Sequence, residues 1–188
     1  MVLLKNQAAT LPLPATARLA LLGYGSYQVI AGGTGSGDVN EAYATTFLQG
    51  LQNAGFSNAA GLEQSYTRYI AEEEAKLPAT EWYLAKPLIP ERSLDEAELQ
   101  RLAEQQDVAV VTIGRRSGEF VDRKAEGDFT LTATEHALLE RTANAFHHLV
   151  EAELAQFLRN EGSSPHFLEA EFGMCMHVPP PGHHFGLK

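Results

Sequence analysis

The chain has 188 residues, a length that suits one domain, with 44% hydrophobic and 20% charged residues, ordinary values for a protein with a real core. Its 24 acidic residues outweigh 14 basic ones, for a net charge of −10. That balance argues against a basic nucleic-acid face or an anionic-membrane surface and fits a neutral small-molecule substrate as well as no substrate at all. The single cysteine, Cys175, rules out an internal disulfide and says nothing of compartment. The N-terminal apolar run is too short for a signal peptide and no run of ~18 apolar residues occurs, so no membrane span is expected and the chain as given reads as cytoplasmic.

Residues 1–16 read as an extended lead-in, because Pro12 and Pro14 exclude a helix interior. Residues 17–23 are a short apolar run bounded by Gly23 and Gly25, the pattern of a strand buried on both faces. A glycine-rich loop follows at residues 31–37. Ala42, Phe47, Leu48 and Leu51 at helical spacing predict a helix over 40–54, with Gly55 as its stop. A second helix is expected over 59–76. Pro78, Pro87 and Pro90 make 77–92 an irregular connection, within which Trp82 and Tyr83 are either buried aromatics or a sugar-stacking platform.

Ser93-Leu-Asp-Glu96 has the form of a capping box and predicts a helix to about Gln105. Residues 107–113, DVAVVTI, are the strongest strand. Thr132-Ala-Thr-Glu135 is another capping box, opening a helix to about His148, where His147 and His148 suit the helix dipole. Residues 149–161 read as helical, with Val150, Leu154 and Phe157 on one side, and the rest of the tail has no period. Strands alternating with helices predict a parallel sheet with helices on its faces.

Two segments could carry chemistry. The loop Gly32-Gly33-Thr34-Gly35-Ser36-Gly37 lies between a strand and a helix, where glycines admit a ligand and a helix N-terminus offers N–H donors. It lacks the Gly-Lys-Ser/Thr of a Walker loop and the order of a dinucleotide fingerprint, so it is either a structural turn or a ligand loop, a nucleotide-binding α/β protein being one reading. The second, residues 114–123, leaves the C-terminal end of the best strand, the edge where open parallel sheets bind ligands. It packs Arg115, Arg116, Glu119, Asp122 and Arg123 together, either as a salt-bridged surface loop or as a cleft in which a carboxyl is tuned for proton transfer. His177, His183 and His184 near Cys175 match no strong zinc spacing, so no metal is expected.

Taken together, five segments resemble the family 3 glycoside hydrolases. Residues 2–6 (VLLKN) with 11–13 (LPL) are similar to the family's interdomain linker, and 18–23 to the strand that opens its second domain. Residues 32–40 (GGTGSGDVN) resemble its glycine-serine loop, and 113–128 (IGRRSGEFVDRKAEGD) its IGR.SGEG.DR signature, followed at 129–146 by its usual helix. The resemblance implies an α/β fold, a three-layer α/β/α sandwich with a short, mainly parallel sheet, over residues 17–148. In the family this domain follows a (β/α)8-like barrel that carries the nucleophilic Asp, acts on β-linked glucosides or xylosides, and needs no cofactor. By position Glu119 is the acid/base, Thr34, Gly35 and Ser36 are sugar-contacting loop residues, and Asp122 and Arg123 support the Glu119 loop.

Retention needs two carboxyls about 5–5.5 Å apart. Glu119 supplies one, and 188 residues are too few for this domain plus a barrel of ~250. The chain is therefore expected to be inactive alone and to take a β-glucoside only when a barrel is supplied; the other reading is a non-catalytic carbohydrate-binding or association module. Two departures stand out. Phe120 occupies the position of the family's glycine after the Glu, and a bulky residue cannot take a glycine-only backbone. The match also stops after Phe146, where the family runs into further strands. The domain thus reads as incomplete, with 149–188 an atypical tail and an open sheet edge that predicts a homodimer unless the tail folds back over it.

Overall fold

The computed structural model describes residues 2–3, 6, 10–29, 42–81, 84, 87–116, 122, 124–146, 149–156 and 173–177. In chain order the elements are β1 (Val2–Leu3), β2 (Arg18–Leu22), a 3-10 turn (Tyr24–Ser26), α1 (Phe47–Asn53), β3 (Ser57–Asn58), α2 (Leu62–Glu74), α3 (Glu96–Gln105), β4 (Val108–Arg116), a π turn (Ala125–Phe129), α4 (Ala133–Ala145), β5 (Leu149–Gln156) and β6 (Gly173–His177). The sheet order is β1-β6-β5-β4-β2-β3, and every pair is parallel except β5–β6.

The apolar runs of β2 and β4 are buried on both faces. On one face Ala20 and Leu22 of β2 and Ala109, Val111 and Ile113 of β4 meet Leu62, Tyr66 and Ile70 of α2, Leu99 of α3, and Leu138 and Leu139 of α4. On the other, Leu19, Leu21, Val108 and Val110 meet Leu48 of α1, with Leu11, Leu13, Phe47, Leu51 and Phe56 alongside. Alternating side chains of each strand thus feed two separate cores, and the helices form an outer layer on either side. This is the three-layer α/β/α sandwich with a mainly parallel sheet.

The helix ends follow local chemistry. Thr132 and Glu135 form the expected capping box, with Thr132 N–H donating to Glu135 Oε2 at 2.7 Å and Glu135 N–H to Thr132 Oγ1 at 3.3 Å. Thr46 and Gln49 form another at α1, which starts at Phe47 rather than at residue 40. Gly55, just past α1, has φ +91°, as a helix stop requires. The box expected at Ser93 is corrected: α3 begins at Glu96 and is capped by Asp95, whose carboxylate accepts the Glu98 N–H at 2.7 Å. Leu94, 2% exposed, is drawn into the core and fixes the chain so that the later residue takes the cap.

Of residues 149–161, read as helical, Leu149–Gln156 instead form a strand and 157–161 lie outside the described residues, and α4 ends at Ala145 rather than about His148. Eight residues of β5 pair in register with β4, from Ala109↔Leu149 to Arg116↔Gln156. Backbone groups along β4 need partners on that side, and satisfying them outweighs helix propensity. The tail returns as β6 against β5, from Glu151↔His177 to Ala155↔Gly173, and β1 pairs with β6 in turn. The edge expected to be open therefore carries the chain's own tail, the fold-back alternative to the homodimer. Among the described residues no helix is long and apolar enough to cross a membrane.

Candidate functional site

Strand order marks where a candidate site would lie. From β2 the chain runs to β3 on one side; from β4 it runs to β5 on the other. The first connection carries α1 over one face and the second carries α4 over the opposite face. β2 and β4 are adjacent and parallel, paired from Leu19↔Val108 to Leu22↔Val111, so both run toward the same edge of the sheet, where the two connections diverge, with β4 continuing past the end of β2 to Arg116. A crevice at such a divergence is the usual ligand position in open α/β sheets. The glycine loop belongs to the connection after β2, and Glu119 to that after β4.

Beneath this edge the end of β2 is held by a dense polar network. Gly23 has φ +94°, and a Cβ there would lie 2.1 Å from the Thr112 carbonyl oxygen of β4. Only glycine permits that approach. The Gly23 N–H donates at 2.9 Å to Tyr66 Oη, the accepting oxygen of a phenol whose ring stacks on Tyr27 at 4.7 Å. Thr112 Oγ1 lies 3.2 Å from both the Leu22 and Gly23 carbonyls and 3.0 Å from Ser26 Oγ. The chain thus leaves β2 for the glycine loop along a path set by β4 and α2.

Glu91 closes the network from the connection before α3. It is buried, and its carboxylate accepts the Arg92 N–H at 2.8 Å and the Tyr24 N–H at 3.3 Å. Loss of solvent pushes its carboxyl up to about 8, against these backbone donors, with Glu135 adding in the same direction. Burial, then Glu91 and Glu135, also hold the Tyr24 phenol up, so all three share one neighbourhood with Arg115 and Arg116.

A carboxyl raised in the folded state binds more protons there than in the unfolded chain. Its contribution is complete below about pH 4.5 and is lost as pH rises through about 8. The expected result is that unfolding free energy falls by a few kcal/mol across this window, and that Glu91→Gln flattens the slope in urea titrations repeated at successive pH values.

Arg115 and Glu135 form the second buried feature. Arg115 Nη1 meets Glu135 Oε1 at 2.6 Å and Nη2 meets Oε2 at 3.0 Å, a bidentate pair with side chains 5% and 6% exposed. Arg115, which the sequence groups with Arg116, Glu119, Asp122 and Arg123 in a charged loop or cleft, is instead a buried residue of β4. Of the residues expected at the site, Asp122 is described and is exposed. Glu119, Thr34, Gly35, Ser36 and Arg123 lie outside the described residues, as do Phe120, Trp82, Tyr83, His147, His148, His183 and His184. Among the described residues no group of three His, Cys, Asp or Glu side chains could hold a metal.

Sequence reasoning missed Glu91, which follows Pro90 with no local pattern, and missed the Arg115–Glu135 pairing. The only signal for the latter was the capping box, which places Glu135 at the start of α4.

Comparison with known proteins settles the lineage. The profile of the glycosyl hydrolase family 3 C-terminal domain matches residues 1–152. The chain belongs to this family. Among relatives of the family 3 C-terminal domain, β-glucosidase A of Butyrivibrio fibrisolvens is 34% identical over 152 residues, which cover 79% of this chain and 18% of that protein. The solved β-glucosidase 3B of Thermotoga neapolitana, in complex with glucose, is 36% identical with a TM-score of 0.69, over 76% of this chain and 21% of that one. A β-glucosidase from Paenibacillus barengoltzii is 29% identical with a TM-score of 0.73, over 81% and 17%. The chain spans about a fifth of the length of the relatives it matches.

Proposed function

We propose that this family 3 C-terminal domain supplies the acid/base half of a retaining β-glucosidase pocket, with Glu119 as the acid/base and the nucleophile provided by a barrel. The observation that carries the reading is that β2 and β4 are adjacent, parallel strands directed at the same edge of the sheet. Glu119 is the third residue after Arg116, the last of β4, and Thr34, Gly35 and Ser36 fall in the connection after β2. The relatives named as β-glucosidases, one of them solved with glucose, give the sugar class.

In the first step Glu119 gives its proton to the glycosidic oxygen as the C1–O bond breaks and a barrel carboxylate bonds to C1. In the second it takes a proton from water, which attacks C1 and releases the carboxylate. Thr34, Gly35 and Ser36 contact the sugar, and Asp122 with Arg123 frames the loop. No cofactor takes part in either step. Any pairing of two copies through the sheet has, at the described margins, only the two-residue strands β1 and β3 to use.

The test is an aryl β-glucoside assay with a family 3 barrel supplied in trans. The mixture should turn over, and Glu119→Gln should lower its rate by about 10²–10⁴-fold. Turnover unchanged by Glu119→Gln would remove the assigned role. Calorimetric heat with glucose but no turnover in the mixture would favour the non-catalytic binding module.

A further inference from the structure

We propose that Arg115 and Glu135 are positioning residues for the segment between them and, resting on the reading above, for Glu119. The pair ties the last residues of β4 to the first turn of α4, the two points where the Glu119 connection begins and ends. Glu135 does this with one carboxylate. Its Oε2 accepts both Arg115 Nη2 at 3.0 Å and the Thr132 N–H at 2.7 Å, so the ion pair and the helix cap share an atom. Arg115 Nη1 also donates to the Gly114 carbonyl at 2.8 Å, which holds the guanidinium against its own strand.

The later part of the connection is closed on itself. Lys124 N–H donates to Asp128 Oδ2 at 3.1 Å, Phe129 N–H to the Lys124 carbonyl at 3.0 Å, and Thr130 Oγ1 to the Ala125 carbonyl at 2.9 Å. Fixed points therefore stand on both sides of residues 117–123, which include Glu119. Apolar residues of equal volume stabilise a core as well as a buried ion pair does, or better, so stability alone gives little reason for charges here. A planar guanidinium gripping a carboxylate with two parallel bonds adds direction, which apolar packing does not.

The test uses the 188-residue chain with the double variant Arg115→Met/Glu135→Gln. This removes both charges of the pair, and Gln still serves a capping box, so the chain keeps its fold while losing the ionic tie. Amide hydrogen exchange is read in residues 117–131 and, as reference, in β2 and β4. Exchange in 117–131 should rise by about tenfold or more with the reference strands unchanged. No rise, or an equal rise in loop and strands, overturns the proposal by showing a pair that is merely structural.

A second readout adds the barrel in trans and compares phenyl with 2,4-dinitrophenyl β-glucoside, the latter leaving without protonation. For Arg115→Lys the loss should be about tenfold larger with the phenyl substrate, because only that substrate needs a well-placed acid. Equal losses on both overturn the link to Glu119. A wild-type mixture with no turnover would sink the acid/base reading, and the exchange result would still decide the positioning role.

Discussion

Arg115→Met alone should lower the unfolding free energy by about 3–5 kcal/mol, read from the urea midpoint at unchanged slope. The reason is asymmetry. Glu135 is 6% exposed at its side chain, and without the guanidinium its charge loses the ion pair while the Thr132 N–H bond remains. Adding Glu135→Gln removes that stranded charge while retaining the cap, so the double variant should recover most of the loss. Arg115→Met costing under about 1 kcal/mol would show instead that water reaches the pair, contrary to its burial.

Gly23→Ala should be of similar size, about 3–5 kcal/mol, because two penalties coincide. Its φ of +94° is strained for any side chain, and the new methyl would lie 2.1 Å from the Thr112 carbonyl oxygen and 2.7 Å from Thr112 Oγ1. Neither neighbour can yield cheaply, since Thr112 is fully buried in the central strand β4. Gly50→Ala is the internal contrast. That glycine sits within α1 with nothing within 4 Å of the added carbon, so the change should stabilise by about 0.5–1 kcal/mol. Thermal or urea unfolding of the two variants side by side checks both signs.

The parts of the fold that were legible in the sequence are those whose cause is local. β2 and β4 show as apolar runs because both their faces are covered, and α4 shows through the cap that its own Thr132 and Glu135 make. β5 was misread because Val150, Leu154 and Phe157 also fit one side of a helix, and the decision lies in pairing with β4, some forty residues earlier in the chain. The network under the site was hidden for the same reason. Glu91 meets Tyr24 across 67 positions and Arg115 meets Glu135 across 20, and no short pattern marks either contact. Glu119 and the glycine loop were singled out by motif and family resemblance; what the fold adds is that the strands before them are adjacent, parallel and directed at the same edge.

The division of labour between this chain and a barrel is most directly tested by steady-state turnover of an aryl β-glucoside by the 188-residue chain alone. Cleavage with retention requires a nucleophilic carboxylate facing the acid, and the chain is expected to bring only Glu119, so release of the aryl alcohol should stay at the uncatalysed rate. Turnover above that rate that is abolished by Glu119→Gln would contradict this, because it would mean that a second carboxylate of the same chain completes the pocket.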